Sequence, residues 1–208
     1  MKKMIGSLLI FSVVIAGCSS DEDELLDFYN AFQETVEVEK EIEDVTATFD
    51  ELEAEKAELQ QSLESATRDE LTEISGQLVE NADARIAQLD EEVALMGESR
   101  SRMEASEQYI SEISNESNRD KAQSLVDAMD QRYNEHGDMI GSYKTVLESE
   151  RDIFEYLGDE DISQDEVDER LNNLDEEYQQ VQEDAQTFSE QTENVNQIKQ
   201  EIESLIES

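Results

Sequence analysis

Residues 122–157 read AQSLVDAMDQRYNEHGDMIGSYKTVLESERDIFEYL, and their rhythm decides the fold. Ala122, Leu125, Met129, Tyr133, His136, Ile140, Tyr143, Leu147, Phe154 and Leu157 recur at threes, fours and one seven. That spacing collects side chains on one face of an α-helix, whereas a strand would alternate in twos. More than half of the residues between them are Glu, Asp, Gln, Asn or Ser, the composition of a wetted face.

The same rhythm runs outward in both directions. Upstream it passes through Leu71, Ile74, Leu78, Ala82, Ile86, Leu89, Val93, Met96, Met103 and Ile110. Before that it runs through Leu25, Phe28, Phe32, Val38, Ile42, Val45, Phe49, Leu52, Leu59 and Leu63, with a phase slip near Val36. Downstream it continues through Val167, Leu171, Leu174, Tyr178, Val181, Ala185, Phe188, Val195, Ile202 and Leu205. Each segment opens on a hydroxyl residue with an acid three places on: Ser20 with Asp23, Thr67 with Glu70, Ser117 with Asp120, Ser163 with Glu166. The hydroxyl satisfies free amides of the first turn and the acid favours the positive end of the helix dipole. Gly158 closes the third segment in the manner of a C-cap. The expected fold is all-α: an elongated up-and-down antiparallel bundle of about four long helices, joined by short connections. A three-helix, spectrin-like bundle in which the Thr67 break is bridged is the alternative. Gly137 and Gly141, four apart within the third segment, would share a face, permitting either a close helix approach or a local kink.

Composition limits what such a bundle can do. The chain has 208 residues, 15 Lys plus Arg against 56 Asp plus Glu, and a net charge of −41. This charge repels phosphate backbones, so nucleic acid is excluded as a partner. An apolar fraction of 37%, regularly placed, separates the chain from acidic disordered tails. A single Cys excludes a disulfide framework and a Cys-cluster metal site.

The amino terminus reads as an address. Lys2 and Lys3 precede an apolar run from Met4 to Ala16, too short at about 20 Å to cross a hydrocarbon core of roughly 30 Å. The run ends Ile15-Ala16-Gly17-Cys18, which resembles the lipobox of bacterial lipoproteins, with Ile15, Ala16 and Gly17 as the signal-peptidase recognition residues. Cys18 is then the lipidation site, its thiol carrying a diacylglyceryl group whose two chains suffice for stable anchoring. The expected organisation is a signal peptide at 1–17, a lipidated anchor with a short tether at 18–24, and a helical bundle domain at 25–208. Loss of Lys2 and Lys3 takes the net charge from −41 to −43. Low Lys with abundant acid on an exported surface reads as adaptation to salt, a halophilic character.

No catalytic residue, cofactor site or metal site is expected, the covalent lipid on Cys18 apart. His136 is the sole imidazole, on an apolar face, with no nucleophile elbow or oxyanion loop to serve. The run Asp159–Asp165 has Gln164 where a calcium loop needs Gly and Arg170 where it needs its bidentate acid, so it reads as an acidic helix connection. The many carboxylates predict diffuse surface binding of divalent cations. Two-lobed ligand binding would need α/β alternation, which is absent.

From about Ala82 to Val195 the sequence resembles the YkyA-like family of cell-wall-binding lipoproteins of Gram-positive bacteria. The residues that carry this are Met129, Arg132, Tyr133, Tyr143, Leu147, Glu150, Phe154 and Leu157, then Ile162-Ser163, Leu171, Leu174, Tyr178, Phe188 and Thr192. The lipobox matches the family's amino-terminal arrangement. The resemblance implies a helical, non-enzymatic protein on the outer face of the cytoplasmic membrane, facing the cell wall. Met129, Arg132, Tyr133, Tyr143, Phe154, Tyr178 and Phe188 are expected to be structural. A cell-wall polymer or an envelope protein is the implied partner. An accessory ligand- or cation-binding lipoprotein, or a regulator of an envelope enzyme, is the alternative. Gram-positive wall polymers are themselves largely anionic, so wall binding by this chain calls for bridging cations, high salt or a specific pocket.

Overall fold

A computed structural model describes residues 20–207, and within them every regular element is a helix. Ile15–Cys18 and the signal segment lie outside the described residues. Five α-helices form four rods: α1 (Ser20–Glu37) and α2 (Ile42–Leu63) make the first, followed by α3 (Arg68–Ser106), α4 (Glu116–Leu157) and α5 (Gln164–Ile206). The rods run up and down as a bundle of four, and the turn at Thr67 is a true reversal, which removes the three-helix alternative. Among the described residues no helix is long and apolar enough to cross a membrane.

The phase slip expected near Val36 is a turn of 3₁₀-helix, Val38–Glu41, between α1 and α2. Tightening to three residues per turn rotates the apolar stripe without ending the rod. A second 3₁₀ segment, Glu107–Glu112, ends the α3 rod.

Of the expected caps, Thr67 is built as read: its backbone N–H donates to Glu70 Oε2 at 2.7 Å within a capping box. The α4 cap is Asn115 rather than Ser117; its side chain accepts from the Asn118 amide at 3.2 Å. Ser163 is the N-cap of α5 but makes no box, because Glu166 turns to Arg170 at 2.9 Å. The boundary expected at Leu25 falls inside α1, where Glu24 already accepts from the Ser114 amide at 2.6 Å.

Gly158 caps α4 with right-handed backbone angles, φ −76° and ψ −17°. Its value is therefore closeness: an added Cβ would stand 3.3 Å from the Glu155 carbonyl and 3.4 Å from Ser75 Cβ of α3. Gly137 and Gly141 permit no close approach, since a Cβ at either would meet nothing within 4 Å, and both face solvent. They simply weaken an exposed helix surface. The double substitution Gly137→Ala, Gly141→Ala is expected to raise stability by about 1 kcal/mol per site in urea unfolding. No gain would show that α4 needs flexibility there.

Apolar residues form two clusters along the bundle. The first gathers Leu25, Phe28, Tyr29 and Phe32 of α1 with Met96, Met103, Leu125, Met129, Val195 and Ile202. The second joins Leu89, Met139, Ile140 and Leu147, with Phe49, Tyr143 and Phe188 packed against it. Val93 and Leu171, expected on the core stripe, are instead 41% and 44% exposed.

Candidate functional site

The interior is not wholly apolar. Along α3, Arg85, Glu92, Ser99 and Ser106 recur every seven residues and stand in line with Leu78, so a column of polar side chains runs into the bundle. Arg85, Ser99 and Ser106 are buried. Seven residues rise about 10 Å, so successive members of the column stand that far apart along α3.

The deepest layer is built on Arg85, whose side chain is wholly buried. Its guanidinium donates to Glu53 Oε1 of α2 at 2.5 Å, to Glu150 Oε2 of α4 at 2.6 Å, and to Asn81 Oδ1 at 2.9 Å. Lys56 of α2 donates to Glu150 Oε1 at 3.0 Å and to Glu53 at 3.1 Å, and the Tyr178 hydroxyl of α5 donates to Glu150 at 2.6 Å. Asn81 spends its amide on the Leu52 carbonyl at 2.9 Å and on Glu55 at 3.1 Å. Arg85 and Lys56 balance Glu53 and Glu150 inside, the exposed Glu55 stands at the layer's edge, and the layer touches all four rods. Burial pushes the Glu150 carboxyl up, but the charges of Lys56 and Arg85 and the Tyr178 hydroxyl outweigh it and hold Glu150 below the usual range.

In the next layer His136 Nε2 lies 2.8 Å from Glu92 Oε1, and the imidazole meets the Phe188 ring edge-on at 5.4 Å between centroids. One turn or two further on, Arg132 grips Glu39 of the 3₁₀ turn with both terminal nitrogens, at 2.9 and 2.7 Å, and its Nε donates to Thr192 at 3.2 Å. The same guanidinium lies over the Phe188 ring at 5.3 Å. Ser99 donates to Glu39 at 2.8 Å and stands 2.8 Å from the Tyr133 hydroxyl, which burial pushes up in pKa.

The residues carrying the family resemblance thus serve two ends. Met129 and Phe154 are buried and apolar. Arg132, Tyr133, Tyr178 and Phe188 hold the polar layers, while Tyr143 packs against Phe49 at 5.4 Å. Arg85, Asn81, Lys56, Glu53, Glu39, Ser99 and Glu92 escaped the sequence reading. A signal existed for two members of this layer. Lys56 falls on the three-four rhythm between Leu52 and Leu59, as Glu150 does between Leu147 and Phe154.

Outside, the α3–α4 seam is zipped by Arg151 with Asp83 at 3.0 Å, Arg100 with Asp130 at 3.4 Å, and Lys144 with Asp90. Exposed pairs of this kind contribute roughly 0.2–1 kcal/mol each. Among the described residues no group of three or more His, Cys, Asp or Glu is placed to hold a metal ion.

Fold and interior together define an all-α bundle of four rods laced by buried polar layers. The chain belongs to the YkyA family, described as "Putative cell-wall binding lipoprotein", whose pattern matches residues 23–205. It is 25% identical over 201 residues to the uncharacterized lipoprotein YkyA of Bacillus subtilis (strain 168), covering 95% of this chain and 90% of that protein. The crystal structure of a conserved protein of unknown function from Staphylococcus aureus shares the fold, with a TM-score of 0.77 at 23% identity, covering 90% of this chain and 97% of that one.

Proposed function

We propose that this chain is a lipid-anchored, non-enzymatic bundle that stands on the outer face of the cytoplasmic membrane and presents its far end to the cell wall. The observation that supports this best is where the lipobox leads. α1 is helical from Ser20, two residues beyond Cys18, at the end of the bundle where α5 also finishes. That end is tied together by Glu24 with Ser114 and by the Tyr29 hydroxyl donating to Glu203. A diacylglyceryl group on Cys18 would therefore lie at the base of the rods, with no long tether between lipid and fold. The connections 64–67 and 158–163 form the opposite tip, about 65 Å away for a helix of the length of α5.

The chemistry-bearing side chains of the interior are engaged with one another, His136 with Glu92, Arg132 with Glu39, Arg85 with Glu53 and Glu150. That favours a spacer or adaptor over a catalyst. Its partner is a wall polymer or an envelope protein met at the tip or along the flanks.

Cys18→Ala is expected to release the protein from membranes washed with salt and carbonate, while the parent chain stays bound. Retention of the variant would overturn the anchor. In a high-salt pulldown from intact envelopes, capture by purified sacculi supports wall binding, whereas enrichment of one membrane or wall protein supports the adaptor role.

A further inference from the structure

We propose that α2 is a strap, opening as a unit about the 3₁₀ turn Val38–Glu41 while α1 stays in the bundle. The two halves of the first rod are held in different ways. α1 packs on α3, α4 and α5 and contributes four aromatic or aliphatic side chains, Leu25, Phe28, Tyr29 and Phe32, to the larger core cluster. Apart from the adjoining 3₁₀ turn, the α2 backbone lies near that of α3 alone. Its buried residues are Val45 and Lys56, the half-buried Phe49 is its one member of the second cluster, and Ile42, beside the pivot, packs on the first.

What fastens α2 beyond the pivot is mostly the polar layer: Lys56 on Glu150, Glu53 on Arg85, and the Leu52 carbonyl and Glu55 on the Asn81 amide. Apolar burial stabilises in proportion to area. A buried ion network gains little net, because desolvation of the charges offsets their attraction. The pivot, by contrast, is clamped. Glu39 within the 3₁₀ turn is gripped at both oxygens by Arg132 and receives a hydrogen bond from Ser99. Fixed at the pivot and weakly held beyond it, α2 moves without α1. Its opening bares Tyr143 and the Arg85–Glu150 pair on α3 and α4.

Native-state hydrogen exchange of the full chain tests this. Amides of 42–63 should exchange about tenfold or more faster than those of 25–37, with a weaker urea dependence, the signature of sub-global opening. Glu150→Gln and, without touching a charge, Phe49→Ala should each speed exchange across 42–63 and leave 25–37 unchanged. Equal rates and equal urea dependence in the two halves of the parent chain would overturn the strap. So would variants that accelerate both halves alike.

Discussion

Replacing Arg85 with Ala is expected to cost about 3–5 kcal/mol of folding stability, the largest effect of any single substitution considered. The side chain is wholly buried and donates to Glu53, Glu150 and Asn81 at once. Its removal leaves the buried Glu150 and the half-buried Glu53 carboxylates sharing Lys56 and strands the Asn81 oxygen. Exchanging the charged set together for apolar residues of similar volume should cost far less, since a complete ion network gains little over a packed apolar one. Urea unfolding of Arg85→Ala checks this, and a loss below about 1 kcal/mol would mean that water reaches the layer. The acid limb of stability carries the same information. Glu150 is held below its ordinary value of 4.5, so its contribution is complete above that pH and disappears as pH falls through the lower folded value. Glu150→Gln should flatten that limb.

Salt is expected to raise the melting temperature steeply. The net charge is −41, and the acids are unevenly relieved. Between Lys40 and Arg68 the one cation is Lys56, which is buried; between Arg170 and Lys199 there is none. The outer faces of α2 and of the middle of α5 are therefore carboxylate surfaces with little to offset their repulsion, since α5 is relieved only towards its ends, by Arg170 on Glu166, Lys199 on Glu203 and Lys121 on Glu201. The Debye length shrinks from about 8 Å at physiological ionic strength to about 3 Å at 1 M, which removes most of that repulsion. Each 1 kcal/mol so regained shifts melting by roughly 2–4 °C in a chain of this size. A melting temperature that stays flat between about 0.1 and 2 M sodium chloride would show that the acidic surface is indifferent to screening and not an adaptation to salt.

The rods were legible in the sequence because helix periodicity is local. The slip near Val36, the cap at Thr67 and the reversal after Gly158 are each decided by a few neighbouring residues. The α4 cap was misplaced by two residues because Asn115 and Ser117 are both competent, and only geometry chooses between them. The polar layers were legible only at Lys56 and Glu150, which fall on the apolar rhythm. Tracking apolar residues along α3 favours Ile86 and Val93, whereas Arg85 and Glu92 occupy the inward positions. Nothing near Arg85 in the chain announces that choice, because Glu150 lies 65 residues away and Glu53 lies 32 away. A charge is admitted to the interior by partners that only the assembled bundle supplies.

The seven-residue recurrence of Arg85, Glu92 and Ser99 bears on how such a protein can change its height. Each of these residues has its counterpart on another rod, at Glu150, His136 and Glu39. Lengthening one rod alone by a heptad would carry each polar group past its counterpart, Arg85 towards His136 and Glu92 towards the like-charged Glu39. Growth is therefore possible only in matched steps, one heptad in each of the four rods, or about 10 Å at a time.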